Sequence, residues 1–345
     1  MANILEKAQR HNTPTKELDW SHPLLTIRCI VYNHEAYIRD CLEGFVMQET
    51  TFPFEVIVHD DASTDNSAAI IREYAEKYQH IIKPIIQTEN QYQKPGHGHM
   101  NVDINNAMAE SSRYLAFCEG DDYWIDPTKI QQQVEWFETH PDYTMVWHDS
   151  YILDYRNGSK TTFHRANKNT TIGLKEIIMG GGGFCPSPSL MVHKNLYLNR
   201  PKEVTDQFVG DYPDQIYFAL MGKTYYIAKP MSVYRLCTPG SWTSTARYNE
   251  VDGFFQNLKG VQKILQDLNR WSNFKYDKWF QSKFYRDLYR YYSLIPNYKK
   301  MKEYYWKANT SRIKSIPTFY WTIRAYFSIC IRTINFLQKK QSIFR

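Results

Sequence analysis

Short apolar runs alternate with segments of helical period through the first half of the chain. Residues 24–31 are apolar and β-branched, which predicts a central strand, and residues 35–47 then repeat apolar positions at a helical period. Further strands are predicted at 54–58, 81–87, 114–117 and 145–153, and further helices at 68–78, 100–110 and 128–139. Pro84 places the third strand at an edge or a bulge. This alternation is typical of an α/β fold with a mostly parallel central sheet covered by helices.

Beyond residue 153 the pattern is less regular. It predicts a turn at 156–158, a run of four glycines at 180–183, a strand at 189–193, a helix at 213–221, and short strands at 224–227 and 231–234. From residue 251 onward only helices are predicted. We therefore expect an N-terminal segment (1–23), an α/β domain (24–248) and an all-helical C-terminal extension (249–345).

Positive charge is concentrated at the C-terminal end. Residues 304–345 hold eight Lys or Arg and no Asp or Glu, more than the whole formal net charge of +6. A predicted helix at 318–339 has one narrow polar stripe on an otherwise apolar and aromatic surface. A basic amphipathic helix favours an anionic membrane surface, although a helix docked on the protein's own body has the same pattern. The basic tail contains no recognised nucleic-acid module, so nucleic acid is not expected as a partner.

The cysteines and the hydropathy pattern bear on location. The six cysteines are scattered without paired spacing, which is typical of buried thiols in a reducing compartment. No stretch of 18 residues is free of charge, and no apolar core follows a basic start at the N-terminus, so neither a transmembrane helix nor a signal peptide is expected. We expect a cytoplasmic protein that is peripheral on the inner face of the cell membrane.

Carboxylates collect directly after two predicted strands. Asp60 and Asp61 follow the second strand, and Glu119, Asp121 and Asp122 follow the fourth. The carboxyl ends of parallel strands meet at one edge of a sheet, where open α/β sheets bind ligands. Closely packed carboxylates are ligands that Mg²⁺ or Mn²⁺ prefers, although a solvated acidic turn has the same composition.

Tyr32 and Asn33 follow the first strand and are expected at the same edge. An aromatic ring, hydrogen-bonding carboxylates and a cation site together suit a nucleoside diphosphate. The glycine-rich phosphate loops are missing, and a metal-bridged diphosphate does not need one. Their absence disfavours a nucleotidyltransferase, in which a glycine-rich loop would replace the polar turn at residues 32–35.

Five segments together resemble glycosyltransferase family 2, the inverting enzymes of the GT-A fold. They are Ile30–Ile38, Val56–Asp65, Phe117–Trp124, Gly210–Tyr212 and Met231–Arg235, and their order and spacing agree from residue 24 to residue 245. The resemblance implies a Rossmann-like GT-A domain that binds a nucleotide sugar, a UDP-sugar in particular, together with Mn²⁺ or Mg²⁺. It does not cover the helical extension.

By position, the resemblance implies a donor site made of Tyr32, Asn33, Asp60, Asp61, Ser63, Glu119, Asp121 and Asp122. Tyr32 would flank the uracil, Asp60 would bind the base, and Asp61 or Ser63 would reach the ribose region. Asp121 and Asp122 would meet the cation, and Glu119 stands where the motif usually begins with aspartate. Asp211 falls at the position of the catalytic base. The residues alone also fit a helix-capping or turn aspartate at position 211, and Asp214 competes for the base role; the match favours Asp211.

Five other side chains near these motifs have alternative interpretations. Trp242 and Arg247 form a candidate lid over the diphosphate or an ordinary surface loop. Trp124 is expected to be a structural cover on the acidic turn. His97 and His99 have the spacing of a weak metal pair, but solvated loop histidines fit better.

The resemblance also exposes one departure. Family members often carry a histidine two residues after the arginine of the Tyr234-Arg235 pair, and this chain has Cys237 there.

We predict a metal-dependent inverting glycosyltransferase that moves a sugar from a nucleotide-diphosphate donor to a glycan or lipid-linked acceptor hydroxyl, as in polysaccharide biosynthesis. The alternative is a catalytically silent sugar-nucleotide or glycan-binding module on the same fold.

Overall fold

The computed structural model describes residues 18–92, 94, 99–241, 243–244, 250–294 and 297–309. The chain forms two compact units, residues 1–244 and residues 245–345. The division lies four residues before the predicted boundary at 248.

The described part of the first unit contains one sheet and the helices that cover it. The strands are β1 (Leu25–Val31), β2 (Phe54–Asp60), β3 (Ile82–Ile86), β4 (Tyr114–Phe117), β5 (Tyr123–Trp124), β6 (Tyr143–Asp154), β7 (Ser159–Thr162), β8 (Thr170–Ile172), β9 (Met191–His193) and β10 (Lys223–Leu236). The helices are α1 (Ile38–Val46), α2 (Ser67–Lys77), α3 (His99–Ala107), α4 (Lys129–Thr139), α5 (Leu174–Gly180), α6 (Lys194–Leu198), α7 (Lys202–Thr205) and α8 (Asp211–Met221).

The strand order is β3–β2–β1–β4–β9–β6–β10–β5, with β7 paired to β6 and β8 paired to β10. Strands β1 to β4 run parallel and β10 is parallel to β6, whereas β9 is antiparallel to both β4 and β6. This topology confirms the predicted mostly parallel α/β sheet. Because Val31 pairs with Asp60 and β4 is parallel to β1, the loops after β1, β2 and β4 leave the sheet at one edge.

The core lies between this sheet and the helices α1, α2 and α4. Strand β2 is buried along its whole length, and the Phe45 ring of α1 packs edge-on against Trp124 at 4.9 Å. The Cys41 thiol lies 3.9 Å from the Cys29 sulfur and 4.0 Å from the Cys118 sulfur. These cysteines are buried free thiols, as predicted.

Two prolines explain how the observed elements relate to the sequence pattern. Pro84 lies in β3, which is an edge strand of the sheet, as predicted. Two short strands were predicted around Pro230, but β10 is a single strand of 14 residues with register shifts on both sides of this proline. Because proline lacks the N–H that a ladder requires, the strand accommodates it as an irregularity and then continues.

The described part of the second unit is helical, as predicted: α9 (Glu250–Trp271), α10 (Asp277–Leu294) and α11 (Tyr298–Asn309). Helices α10 and α11 pack through stacked aromatic rings, with Tyr292 and Tyr304 centred 5.5 Å apart. The predicted amphipathic helix at 318–339 lies outside the described residues. Where the structure is described, no helix has both the length and the hydropathy needed to cross a bilayer.

Candidate active site

The loops after β1 and β2 hold each other in place. The Asn33 backbone is in the left-handed region (φ 55°), and its N–H donates to the Ser63 hydroxyl at 2.9 Å. The Asn33 side-chain oxygen accepts the N–H of Thr64 at 2.8 Å. These bonds leave the Tyr32 ring 41% exposed at the sheet edge. Asn33 and Ser63, both predicted to contact the nucleotide, therefore brace the two loops that carry Tyr32 and Asp60.

Asp60 and Asp61 are both buried but differ in what their oxygens meet. Asp60 Oδ1 accepts the N–H of Ser63 at 3.0 Å, whereas Asp60 Oδ2 has no hydrogen-bond partner among the described residues. The two Asp61 oxygens accept the N–H groups of Gln91 (2.6 Å) and Tyr92 (3.1 Å). A buried, unpartnered carboxylate oxygen is costly unless a donor arrives. Asp60 therefore has capacity for a ligand, whereas Asp61 holds the next loop.

The acidic turn at 119–122 is closely packed. A Cβ built on Gly120 would lie 2.8 Å from both Val31 Cγ2 and His34 Nδ1, so the turn requires glycine at this point. Asp122 is 1% exposed, and its Oδ1 accepts the N–H of Arg235 at 2.8 Å. Burial, together with the negative charge of Asp121, raises the pKa of Asp122 well above its usual range. Asp121 is the more exposed of the two carboxylates.

Arg235 connects the acidic turn to helix α1 and its preceding residue. Its guanidinium lies over the rings of Tyr37 (5.2 Å) and Tyr123 (4.4 Å), pairs with Asp40, and donates to the backbone oxygen of Asp121 at 2.8 Å. Arg235 belongs to a segment that resembles the family, but its sequence pattern indicates no role. In the structure it is one of the residues that position the acidic turn.

Cys237, at the position where family members often carry a histidine, is bound to Thr243. Cys237 has φ 59°, its N–H donates to the Thr243 hydroxyl at 3.0 Å, and its thiol donates to the Thr243 carbonyl at 3.5 Å. The next residue, Thr238, donates its hydroxyl to Asp121 Oδ2 at 3.0 Å. The contact of Thr238 with Asp121 was not predicted, because one hydroxyl in a polar segment carries no distinctive sequence pattern.

His34 is a second residue that the sequence analysis did not identify as part of the site. Its ring contacts Gly120, and Nδ1 is buried without a partner among the described residues. Burial lowers the pKa of His34, while the carboxylates of Asp121, Asp65 and Asp60 oppose this shift. The ring therefore lies between the loops that carry Asp60 and Asp121.

Glu119 has a cationic partner. Its carboxylate lies 3.4 Å from the guanidinium of Arg28, which also donates to Asn101 at 2.9 Å. Burial raises the pKa of Glu119 to about 6; Arg28 opposes this shift, and the charges of Asp121 and Asp211 add to it. Glu119 is thus engaged with Arg28, and Asp211 is close enough to act on it electrostatically.

The two aspartates that compete for the base role differ in their surroundings. Asp211 is the first residue of α8, where Pro213 is tolerated in the first turn, two residues after the observed start. Both oxygens of Asp214 accept from Nη1 of Arg200 (2.7 and 2.5 Å), whose guanidinium stacks on the Tyr197 ring at 3.5 Å. Asp214 is therefore committed to an ion pair with Arg200.

Other predicted positions are resolved in part. Trp124 is buried, and its Nε1 donates to the Pro188 oxygen at 2.8 Å, which supports the expected structural role. Trp242, Arg247 and His97 lie outside the described residues, as does the side chain of His99.

A divalent cation fits this site only in part through protein ligands. Among the described residues, no group of three His, Cys, Asp or Glu has the geometry to hold a metal ion. Asp121 presents a partly exposed carboxylate beside His34, whose Nδ1 has no hydrogen-bond partner among the described residues. An accessible carboxylate suits a cation of the Mg²⁺ type, which one or two carboxylates bind and substrate phosphates complete.

The sheet carries these residues at one edge, and a comparison with known families identifies the family. Residues 26–197 match the family model described as glycosyl transferase family 2. The chain belongs to glycosyltransferase family 2, which confirms the predicted resemblance.

Three individual proteins that this chain resembles share a third or less of its residues in the matched regions. An uncharacterized protein of Mycobacterium tuberculosis is 33% identical over 222 residues, which are 64% of this chain and only 61% of that protein. The Escherichia coli UDP-Glc:alpha-D-GlcNAc-diphosphoundecaprenol beta-1,3-glucosyltransferase WfgD is 25% identical over 180 residues, 50% of this chain and 67% of that enzyme. The crystal structure of Staphylococcus aureus TarS 1-349 with UDP-GlcNAc superimposes with a TM-score of 0.52 at 18% identity, covering 84% of this chain and 91% of that one. This last likeness supports the GT-A fold.

Proposed function

We propose that the protein is a metal-dependent, inverting glycosyltransferase that moves a sugar from a UDP-sugar to a hydroxyl of a glycan or lipid-linked acceptor. The observation that carries the proposal is the grouping at one sheet edge of an exposed Tyr32 ring, an unpartnered Asp60 oxygen and the Asp121 carboxylate, with Asp211 acting electrostatically on Glu119. Family membership supports sugar transfer as the reaction class.

The donor half of the site suits a uridine nucleotide. An exposed tyrosine at a strand end gives a face on which a base can stack. Asp60 Oδ2 is a buried acceptor that an N–H of the base would satisfy. The name of the E. coli relative includes a UDP-glucose donor, which favours uridine among the nucleotides.

The chemistry follows from the carboxylates. Asp211 would accept the proton of the acceptor hydroxyl as the oxygen attacks the anomeric carbon. The new carbon–oxygen bond forms as the bond to the nucleoside diphosphate breaks, and attack from the opposite face inverts the configuration. A cation held by Asp121 would neutralise the charge that collects on the leaving diphosphate. Arg235 and Thr238 would keep Asp121 oriented.

The acceptor side includes a membrane proposal. The E. coli relative is named for a diphosphoundecaprenol-linked acceptor, and residues 304–345 of this chain are basic and aromatic. We propose that this tail binds the anionic inner leaflet, where a lipid-linked acceptor would be presented. Flotation with phosphatidylglycerol vesicles tests this: the full chain should float and a chain lacking residues 313–345 should not. Equal flotation of both would refute it.

One assay tests the function as a whole. The protein with Mn²⁺ is incubated with UDP-glucose, UDP-galactose, UDP-N-acetylglucosamine or GDP-mannose, and released nucleoside diphosphate is measured with and without acceptors. Alkyl pyranosides and N-acetylglucosamine diphosphate on an undecyl chain serve as acceptors. We expect release that depends on acceptor and metal and is lost in Asp211→Asn. Donor binding without turnover, unchanged in that variant, would support the silent binding module.

A further inference from the structure

The run of four glycines lies against the helix that begins with Asp211. We define residues 181–184 as the glycine loop; it follows α5, and Gly181 is in the left-handed region (φ 78°). A Cβ built on Gly182 would lie 3.4 Å from Tyr212 Cβ. The loop is therefore in contact with the residue that follows the candidate base.

Side chains from α8 fix the loop in this position. The buried amide of Gln215 donates to the carbonyls of Gly182 (3.2 Å) and Cys185 (3.0 Å). The Tyr212 hydroxyl donates to the carbonyl of Ile178 at 2.6 Å, just before the loop. The loop and the start of α8 therefore form one braced structure.

A third tether comes from Arg165. Its guanidinium donates to the carbonyls of Gly183 and Phe184, both at 3.0 Å, and lies over the Phe184 ring at 4.8 Å. The Phe184 ring in turn folds over Gly180, where an added Cβ would come within 2.3 Å of ring carbons. With their carbonyls bound to protein donors, Gly182 and Gly183 are fixed while they remain partly or fully exposed.

Helical spacing sets the glycine loop beside Asp211. Residues three and four positions apart share a helix face, so Asp214 and Gln215 lie one turn below Asp211. Asp214 binds Arg200, whose charge acts on Arg28, the partner of Glu119. Gln215 binds the glycine loop. Asp211 therefore lies one turn above the two residues that link α8 to Arg200 and to the glycine loop.

Gln215 keeps one hydrogen-bond acceptor open beneath the glycine loop. It is fully buried, and its Oε1 has no hydrogen-bond partner among the described residues, although its nitrogen is fully used by the loop. Buried amide oxygens in proteins are almost always satisfied. A small O–H donor beneath the loop, such as a water molecule, would complete this group and hold the loop from below.

We infer that the glycine loop, with Gln215 beneath it, is the wall of the acceptor subsite and contacts a pyranose ring whose hydroxyl is presented to Asp211. This rests on the proposed function and assigns its acceptor side. A Cβ at residue 182 meets Tyr212 Cβ at an ordinary distance of 3.4 Å, so a larger side chain there would occupy space beside the start of α8, on the proposed acceptor side. The loop would then set which acceptor is used and leave the donor untouched.

Kinetics of Gly182→Ala and Gly182→Leu test this inference. The acceptors are octyl pyranosides and N-acetylglucosamine diphosphate on an undecyl chain, and hydrolysis of the UDP-sugar without acceptor reports the donor half. We expect Gly182→Leu to raise the acceptor KM at least tenfold and Gly182→Ala at least threefold. Donor KM and donor hydrolysis should stay within twofold of the unsubstituted protein.

Gly173→Ala is the matched control, because Gly173 stands at the other end of α5 and its added Cβ would meet only the mobile end of the Glu176 side chain. It should leave all constants unchanged. If Gly182→Leu does not fold, Gly182→Ala decides, since its Cβ makes an ordinary contact. An unchanged acceptor KM, or an equal loss of donor hydrolysis, would overturn the inference while the proposed function stands. A protein that turns over no donor would overturn both.

Discussion

Thr238 donates its hydroxyl to Oδ2 of Asp121 at 3.0 Å, across 117 residues of sequence. The bond joins the segment after β10 to the acidic turn after β4, and Arg235 adds a second bond to the Asp121 backbone. In the proposed enzyme these two contacts orient the one acidic-turn aspartate that is partly exposed. Cys237 does not contact Asp121 in the same way, because its thiol donates to the Thr243 carbonyl.

Replacing Thr238 by valine should weaken cation binding. The Asp121 carboxylate would lose a hydrogen bond of about 1–2 kcal/mol, so the affinity for Mn²⁺ in the presence of UDP should fall about five- to thirtyfold. Electron paramagnetic resonance of free Mn²⁺ in a titration with protein and UDP measures this directly. Thr238→Ser keeps the hydroxyl and should bind like the unsubstituted protein. Equal Mn²⁺ affinity in Thr238→Val would show that the bond does not orient the ligand.

Asp211→Asn should abolish transfer while leaving donor binding intact. Asparagine keeps the size of the side chain but cannot accept the proton, and a general base contributes about 10²- to 10⁴-fold to rate. We therefore expect kcat to fall by about that factor with an unchanged Kd for UDP by calorimetry. A loss of UDP binding of the same size would instead assign Asp211 to the donor site.

Asp214→Asn should act on stability. Asp214 and Arg200 form a largely buried pair, with side chains 14% and 10% exposed, and removal of one partner leaves a poorly compensated charge that costs up to about 3–5 kcal/mol. Urea unfolding should show this loss. The double variant Arg200→Met with Asp214→Leu should recover much of it, since an apolar pair of similar volume replaces both charges. If Asp214→Asn lost activity at unchanged stability, Asp214 would be a candidate base again.

Donor recognition should divide between Tyr32 and Asp60. Tyr32→Ala removes the ring and should cost about 1–3 kcal/mol of UDP binding if the base stacks on it, whereas Tyr32→Phe should bind normally. Asp60→Asn exchanges an acceptor oxygen for a donor and should weaken UDP more than a cytidine diphosphate control. Calorimetric titration of each nucleotide measures both effects. Equal binding of UDP to Tyr32→Ala would place the base elsewhere.

The sequence predicted the sheet and its edge because both depend on short-range pattern. β4 is a continuous apolar run and β1 and β2 are mostly apolar, and the polar residues that follow such strands fall at one edge of any parallel sheet. At Pro230 the prediction of two separate strands was wrong, because a break in the apolar pattern does not reveal that the same strand resumes after an irregularity.

Side-chain partners were less predictable because they depend on residues far apart in the chain. Asp60 and Asp61 are adjacent and identical in type, yet one keeps an open oxygen and the other binds the N–H groups at residues 91 and 92. Likewise, no local pattern marks Thr238 or His34 as neighbours of the acidic turn. These contacts are set by how loops pack, which hydrophobic periodicity does not encode.

Lys129 offers a test of the buried structure beneath the turn. Its ammonium lies 3.8 Å above the Trp124 ring and donates to Gln133 at 2.8 Å, and burial lowers the pKa of Lys129 to about 7. Between this value and the ordinary lysine pKa of 10.5, the unfolded chain binds more protons than the folded one. The free energy of unfolding therefore rises with pH in this window, by up to about 1.4 kcal/mol per pH unit.

Lys129→Met should be more stable than the unsubstituted protein at pH 7, because the buried amine no longer has to lose its proton on folding. The advantage should shrink as the pH rises towards 10, since the unfolded lysine then holds its proton less firmly. Urea unfolding of both proteins at several pH values gives the difference free of other titrating groups. Lys160→Met, on the exposed strand β7, is the matched control for exchange of a lysine for methionine outside the core. A difference for Lys129→Met that does not change with pH would mean that the amine stays charged and hydrated in the folded protein.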